Sequence, residues 1–195
     1  LLPADAASSE TENGLFSPVS AFCQTQYGPV KGREGKNGLL CWYGIPYGAA
    51  PTGESRWTAP QEPACWHTVR DCTSPAPAAY QYTTFPLGTE DCLTLDIYSS
   101  AEAKKRPVLV YLHGSAATGS SLELPGCELV RDAGCVFVAL NYRLGLFGWN
   151  CLPALTADPD ATGNFALLDI ARALDWVRDN IRRFGGDADN ITLCG

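Results

Sequence analysis

A short loop that places serines beside a histidine is the first stretch of this 195-residue chain able to support nucleophilic chemistry. Ser115, Ser120 and Ser121 lie close in sequence to His113. A serine hydroxyl is a weak nucleophile until a base such as histidine accepts its proton. Closeness in sequence does not bring a hydroxyl against an imidazole, because the geometry of the fold decides which groups meet. A catalytic pair of Ser115 and His113 is therefore disfavoured.

Metal chemistry is disfavoured by the ligand types and their spacing. The chain has two histidines, His67 and His113, and no pair of cysteines has the C-x-x-C spacing of zinc sites. Four acidic residues in turn-rich segments are interpreted as caps and solvated turns, since they lack a full calcium-loop pattern. They are Asp158, Asp160, Asp187 and Asp189. The sequence therefore predicts neither a metal nor a cofactor.

The nine cysteines are an odd number and too sparse for a disulfide scaffold. Cys41, Cys135 and Cys194 lie in apolar, strand-like runs, which predicts that they are small core residues. A largely reduced protein is the favoured interpretation. One or two disulfides around Cys65, Cys72 and Cys92 stay open as an alternative.

The charge balance excludes two classes of partner. Lysine and arginine total 14 against 21 aspartates and glutamates, for a net charge of -7. This balance argues against nucleic acid and against an anionic membrane surface as partners. No apolar stretch approaches the roughly 20 residues needed to span a bilayer. Residues 1–7 are interpreted as part of a solvated arm rather than the tail of a signal peptide.

The second half of the chain predicts alternating strands and helices. Continuous apolar runs at residues 107–112 and 135–140 are typical of strands covered on both faces, and a short helix over 122–132 separates them. A last strand is predicted over residues 191–194. Strands alternating with helices indicate a mostly parallel sheet wrapped by helices.

The clearest predicted helix covers residues 164–184. Its apolar residues recur at alternating steps of three and four and so form one stripe: Leu167, Ile170, Leu174, Val177, Ile181 and Phe184. Asn164 can cap the start, and Gly185-Gly186 stop the end. The first half of the chain is instead punctuated by glycine and proline, with short strands near residues 22–25 and 39–43 and a surface loop over 74–88.

In a parallel sheet, ligands gather at the carboxyl ends of the strands. Three segments follow the predicted strands, namely His113-Gly114-Ser115-Ala116, Asn141-Tyr142-Arg143 and Gly195. The sequence therefore predicts that a functional site is built from these segments.

Ordered motifs across the chain resemble those of the type-B carboxylesterases, the esterase, lipase and cholinesterase group of α/β-hydrolases. Residues 44–48 resemble the family's GIPYA stretch, residues 90–98 resemble EDCLYLNVY, and residues 141–148 resemble NYRLGVFGF. Two longer patterns, RF..P....W....D and GN.GL.DQ..AL.WV..NI..FGGD, are similar to residues 56–71 and 163–187. The match runs from about residue 22 to Gly195.

The resemblance implies an α/β-hydrolase fold in which short antiparallel strands precede the mostly parallel sheet. Residues 1–21 would form an N-terminal arm and residues 22–195 the N-terminal portion of one domain, with the remainder of the protein as its partner. The implied activity is that of a serine carboxylic-ester hydrolase similar to para-nitrobenzyl esterases, acting through an acyl-enzyme on a small neutral ester.

In that family the last strand enters a G-x-S-x-G nucleophile elbow, and Gly195 matches its first glycine. The resemblance implies a catalytic serine two residues further on, followed by an acidic residue and a histidine. Residues 1–195 would then hold no member of the triad. Because the last strand is apolar and would lack its neighbours, these residues are not expected to fold autonomously.

The loop after His113 is the main candidate within the chain. In the family this loop reads HGG followed by Gly or Ala and Phe, and two of its backbone N–H groups face the oxyanion of the tetrahedral intermediate. Here Gly114 keeps the glycine pattern, while Ser115 and Ala116 depart from it and the aromatic residue is missing. The resemblance implies that Gly114, Ser115 and Ala116 form the oxyanion-hole loop.

Three further residues take structural meaning from the resemblance. Family members pair the glutamate of EDC with the arginine of NYR, which implies a low-exposure ion pair between Glu90 and Arg143. Extracellular members bond the cysteine matching Cys92 to an upstream cysteine. Here that place reads Ala79-Tyr80-Gln81, so either Cys72 substitutes or Cys92 is free.

Other functions stay open or are disfavoured by particular features. A catalytically inactive binding or adhesion protein on the same fold is the alternative, because the family includes members without the triad. Dinucleotide binding is disfavoured because no G-x-G-x-x-G follows a strand. Choline esters are disfavoured because residues 72–90 contain no tryptophan for a cation. A cytoplasmic location is favoured, with secretion as the alternative.

Overall fold

The computed structural model describes residues 19–124, 126–152, 154–155 and 163–195. The N-terminal arm predicted over residues 1–21 lies almost entirely outside the described residues, as do Asp158 and Asp160. In chain order the strands are β1 (Phe22–Gln24), β2 (Pro29–Lys31), β3 (Arg33–Glu34), β4 (Leu39–Pro46), β5 (Arg70–Asp71), β6 (Gln81–Tyr82), β7 (Pro86–Leu87), β8 (Thr94–Ser100), β9 (Arg106–Tyr111), β10 (Val136–Leu140) and β11 (Gly186–Cys194). The α-helices are α1 (Gly126–Ala133), α2 (Gly145–Gly148) and α3 (Phe165–Asn180).

The main sheet has the strand order β11-β9-β10-β8-β4-β3 among the described residues. Strand β9 pairs in parallel with β10 and with β11, so the predicted parallel arrangement is confirmed for these three strands. The pairs β8–β10, β4–β8 and β3–β4 are antiparallel. The antiparallel part is longer than the short strands expected, because β4 extends to Pro46 and β8 was not predicted as a strand.

Helices α1 and α3 cover opposite faces of this sheet, as the alternation of side chains along β4 shows. Leu40 and Trp42 belong to the cluster that also contains α3 residues, whereas Cys41 and Tyr43 belong to the cluster packed against α1. Successive side chains of a strand point to opposite faces, so one strand serves both layers. The two-faced cover predicted from the apolar runs is confirmed for β10, in which every residue is buried, whereas in β9 only Val108 and Val110 are fully buried.

The helix predicted over residues 164–184 is confirmed as α3, which continues as a 3-10 turn, Ile181–Phe184, and ends at Gly185 with φ +84°. The predicted stripe is wrong at its start, since Leu167 is 52% exposed. Phe165, Ala166 and Asp169 are buried instead. The reason is electrostatic as well as apolar, because Asp169 turns inward to meet a buried arginine.

Helix α1 begins at Gly126, four residues later than predicted for residues 122–132. A Cβ atom at Gly126 would lie 2.5 Å from both Phe137 and Tyr98 ring atoms, so glycine lets the helix approach the sheet closely. The predicted surface loop over residues 74–88 contains the short β6–β7 hairpin. In the described part of the chain, none of the helices is both long enough and apolar enough to cross a membrane.

Candidate functional site

The carboxyl ends of β9 and β11 lie side by side. The Leu112 N–H donates to the Cys194 carbonyl at 2.8 Å, one step beyond the parallel pairing of Tyr111 with Cys194. A Cβ atom at Gly195 would lie 2.7 Å from the Leu112 carbonyl oxygen. Real Cβ atoms do not approach a carbonyl oxygen so closely, so Gly195 is required by packing at this position. Gly195, at the end of β11, therefore lies directly beside the segment that follows β9.

The three segments predicted to form a site line one cavity of about 480 Å³. His113, Ser115 and Ala116 come from the loop after β9, Tyr142 comes from the segment after β10, and Gly195 comes from the end of β11. The remaining lining residues are Leu112, Trp149, Ile170, Leu193 and Cys194. The sequence thus predicted which segments meet, and the structure adds an apolar wall from α3 and from the turn after α2.

The backbone of the Gly114–Ala116 loop has amides available to a ligand. Ser115 adopts φ +70°, and its Oγ atom accepts from the N–H groups of Ala117 at 3.1 Å and Thr118 at 3.3 Å. The Ala116 carbonyl accepts from the Gly145 N–H at 2.7 Å, which ties the loop to α2. Within the described ranges the amide N–H groups of Gly114, Ser115 and Ala116 donate to no protein acceptor. Such amides are able to stabilise an anionic oxygen.

His113 is a structural residue of the loop. Its imidazole stacks on the Tyr142 ring, with centroids 4.3 Å apart and planes 6° apart, and the Tyr142 hydroxyl donates to the His113 carbonyl at 2.7 Å. Burial lowers the pKa of this imidazole, which favours the neutral form. The Ser115 hydroxyl is engaged by its own loop, so the structure gives no support to a pair of Ser115 with His113.

The far end of the loop is anchored by Gln81 and Asp96, which sequence reasoning missed, and by Ser121 and Asn141. The Gln81 side chain bonds both the carbonyl of Gly119, at 2.8 Å, and its N–H, at 3.0 Å. The Ser121 hydroxyl donates to Asp96 Oδ2 at 2.7 Å, and the Ser121 N–H donates to Asn141 Oδ1 at 2.9 Å. A charged residue inside the apolar run of β8 was the available signal for Asp96.

Asp96 is a buried carboxyl group with 1% of its surface exposed. Besides Ser121, it accepts the Gly44 N–H at 2.7 Å. Burial raises its pKa to about 6, and the hydrogen bonds from Ser121 and Gly44 oppose that rise. The anchor of the loop therefore contains a carboxyl group whose pKa is raised above its ordinary range by burial.

The predicted direct ion pair between Glu90 and Arg143 is wrong. Glu90 pairs with Arg56, with Nε–Oε2 at 2.5 Å and Nη2–Oε1 at 2.9 Å. Arg143 pairs with Asp169, whose carboxylate reaches it from the first turns of α3. The more deeply buried cation thus meets the more deeply buried carboxylate, while Glu90 lies at a site where its side chain is 25% exposed. Each residue keeps a structural role, with a different partner.

The nine cysteines all lie within the described residues and are free thiols. Cys72 and Cys92 are buried, whereas Cys65 is exposed, and none of the disulfides left open above is formed. Of the remaining acidic residues predicted to lie in solvated turns, Asp187 pairs with Lys105 at 3.8 Å and Asp189 with Arg182 at 2.8 Å.

A mixed sheet covered by helices on both faces, with the candidate site at the carboxyl ends of parallel strands, is the arrangement of an α/β-hydrolase fold, and the likeness to solved esterase structures shows this fold. The model of the carboxylesterase family matches residues 19–195, and the chain belongs to that family.

The relatives place the chain in the same family. It is 40% identical over 183 residues to the para-nitrobenzyl esterase of Bacillus subtilis, covering 88% of this chain and 37% of that protein. It is 36% identical to the fumonisin B1 esterase of Sphingopyxis macrogoltabida, covering 88% of this chain and 34% of that protein. The chain therefore spans little more than a third of the length of these relatives.

Solved structures show the same likeness. A structure of PNB esterase superposes with a TM-score of 0.80 at 40% identity, covering 88% of this chain and 37% of that chain. The carboxylesterase of Geobacillus stearothermophilus at pH 6.8 superposes with a TM-score of 0.81 at 39% identity, covering 89% of this chain and 38% of that chain.

Proposed function

We propose that the protein is a carboxylic-ester hydrolase that acts through a serine acyl-enzyme, with Gly114, Ser115 and Ala116 as its oxyanion-hole loop. One observation carries this proposal. The loop with available amides and the strand end at Gly195 line the same cavity. A serine two residues beyond Gly195 would stand at the turn that leaves this strand, beside that loop.

The chemistry follows from this placement. The serine oxygen attacks the ester carbonyl carbon while a histidine accepts its proton, and the carbonyl oxygen gains negative charge. Amide donors of the loop receive that charge, and each such donor is worth about 3–4 kcal/mol in the transition state. The alcohol leaves, and water then attacks the acyl-serine by the same route. The triad acid and histidine are proposed to lie in the part of the protein that follows residue 195.

A small neutral ester is the substrate class that fits the lining of the cavity. Leu112, Trp149, Ile170 and Leu193 contribute apolar surface. Among the described lining residues His113 is the basic side chain, and burial lowers its pKa and so favours its neutral form. A charged ester would therefore lose hydration without gaining a counter-charge from these residues.

Three further properties are part of the proposal. Residues 22–195 belong to one domain, which a further segment of the same protein completes along β11. The free thiols support a cytoplasmic location, because disulfides persist mainly in oxidising compartments.

The test is labelling of the full-length protein with a fluorophosphonate, followed by peptide mapping. The proposal expects the label on a serine two residues past Gly195 and on none of Ser115, Ser120 and Ser121. The Ser120→Ala variant, at a serine outside the Gly114–Ala116 loop, is the matched control and should label at the same rate. A folded protein that ignores the reagent, or has glycine or alanine at the elbow, would instead support a binding protein on this fold.

A further inference from the structure

Two thiols from different layers of the fold touch away from the candidate site. Cys41 Sγ of β4 and Cys127 Sγ of α1 lie 3.9 Å apart. They are separated by 86 positions in sequence, so the contact is made by the packing of helix on sheet. Closing this distance to the roughly 2.05 Å of a disulfide needs a movement of about 2 Å shared between two side chains.

One of the two thiols is open to a reagent. Cys127 is partly exposed and lines a cavity of about 500 Å³ at the amino-terminal ends of β9 and β10, the opposite end of the sheet from the site above. Cys41 is 2% exposed and lies behind Cys127 rather than in the cavity wall. A reagent in the cavity therefore meets Cys127 first.

The charges around this cavity favour an anionic reagent. Lys36 and Arg106 line it and form no ion pair in the described part of the chain. Arg131 also lines it but is bound by Asp132, and Glu102 adds one negative charge. Lys36 and Arg106 outnumber the single carboxylate of Glu102, so the entrance of the cavity carries a net positive charge. Such a charge attracts carboxylate-bearing thiol compounds such as glutathione.

We propose that Cys41 and Cys127 are a redox-modifiable pair that a low-molecular-weight disulfide converts into an internal disulfide bond. The Cys127 thiolate attacks one sulfur of oxidised glutathione, the S–S bond breaks, and one glutathione thiolate leaves. Cys41 then loses its proton and attacks Cys127 Sγ, and the second glutathione leaves. Two protein thiols are oxidised, and one oxidised glutathione becomes two reduced molecules.

The order of the two steps follows from burial. Burial raises the pKa of the Cys41 thiol to about 12, so Cys41 is a poor initial nucleophile and acts second, on a sulfur already in contact with it. Cys135 lines the same cavity, but its Sγ atom is directed to the Leu129 carbonyl at 3.7 Å. Cys135 is therefore a control in the same cavity wall, more buried than Cys127 and with its Sγ atom engaged by the Leu129 carbonyl.

The bond would tie α1, the helix that follows the Gly114–Ala116 loop, to β4. Cross-links that close long loops restrict the unfolded chain, and a bond across this separation is expected to raise Tm by roughly 4 °C or more. The two thiols lie at the opposite end of the sheet from that loop, so the bond is expected to act on stability rather than by contact with the candidate site.

The experiment is incubation of the full-length wild-type protein with oxidised glutathione, then intact-mass measurement and non-reducing peptide mapping. The proposal expects a peptide joining Cys41 to Cys127, the loss of these two thiols in the peptide map and a higher Tm that dithiothreitol reverses. Cys65 and Cys151 are exposed and take up glutathione in every variant, so only the peptides of Cys41, Cys127 and Cys135 are compared. Cys135→Ser should behave as wild type, and Cys41→Ser should stop at the mixed disulfide of Cys127 with glutathione. A wild-type protein that stops at the mixed disulfide, or joins Cys127 to Cys135, would overturn the proposal without reference to any variant.

Discussion

Arg143 and Asp169 form a two-pronged ion pair inside the fold, with Nη2–Oδ1 at 2.7 Å and Nε–Oδ2 at 2.9 Å. The two side chains are 2% and 0% exposed. The Arg143 Nη1 group donates to the carbonyls of Arg56 and Thr58, and the Arg143 backbone N–H donates to Asp169 Oδ2. The pair thus joins the turn after β10 to α3 and to an irregular segment of the first half.

Removing the charge of Asp169 should destabilise the protein strongly. In Asp169→Asn the guanidinium stays buried without a counter-charge, which costs about 3–5 kcal/mol of unfolding free energy. Urea unfolding followed by tryptophan fluorescence measures this. The control is Asp132→Asn, which breaks the exposed pair with Arg131 and should leave the midpoint unchanged. Equal midpoints for wild type and Asp169→Asn would show that the pair does not stabilise the fold.

The pairing of Arg143 with Asp169, in place of the predicted Glu90, also shows which features of the fold could be predicted from the sequence. The strands β9 and β10 were predictable because each is a continuous apolar run, although the structure buries both faces of β10 and only one face of β9 fully. The partner of Arg143 was not, because Glu90 and Asp169 are both acidic and only the packing of α3 against the sheet decides between them. The same packing leaves Leu167 on the exposed side of α3.

The candidate site divides in the same way. Strand ends are local features, so the meeting of the Gly114–Ala116 loop with Gly195 could be predicted from strand order. The anchors Gln81 and Asp96 could not, because each acts through two hydrogen bonds to residues distant in sequence, which leave no periodic pattern.

Asp96 should make stability depend on pH in an unusual direction. Its pKa is raised from the ordinary 3.8 to about 6, so between these values the folded state holds a proton that the unfolded state has lost. Stability therefore falls as pH rises through this window and is level above it, by about 3 kcal/mol in total. Asp96→Asn removes the titration and should be more stable than wild type above pH 6, by up to about that amount.

The measurement is urea unfolding of both proteins at several values from about pH 4 to about pH 7. Other carboxyl groups cancel in the difference between the two curves, which should widen as pH rises and then stay constant. Asp91→Asn, at an exposed aspartate, is the control for the substitution itself. A pH-independent difference for Asp96→Asn would contradict the buried, protonated carboxyl.

Two glycines of the loop provide a matched test of its packing. A Cβ atom at Gly119 would lie 2.3 Å from His113 Nδ1, and the residue has φ +138°. A Cβ atom at Gly114 would meet nothing within 4 Å. Gly119→Ala must displace the imidazole from Tyr142 and should lower both Tm and, on the proposed function, kcat/KM for a para-nitrophenyl ester by about tenfold or more. Gly114→Ala keeps its amide and should stay within about threefold. Similar losses in both variants would mean that the clash of a Cβ atom at Gly119 with His113 is not the cause of the loss.

The exposed edge of β11 gives the last prediction. In the described part of the chain β11 pairs with β9 along one side only, and Leu193 on it is 48% exposed. An apolar strand with unpaired N–H and C=O groups is a template for association. Residues 1–195 produced by themselves should therefore associate into large species and show no esterase activity.

Light scattering after size-exclusion chromatography measures this association. Leu193→Lys places a charge on this edge strand and should reduce association. A second strand that pairs with β11 would have to remove water from the ammonium group. Leu167→Lys is the matched control, since Leu167 is 52% exposed but lies on α3, away from the edge. If both variants restore a monomer equally, general apolar exposure causes the association and the edge does not. If the unaltered segment is already monomeric with a cooperative melt, the edge is closed by contacts within the segment, and the proposed pairing of β11 with a further strand loses its physical basis.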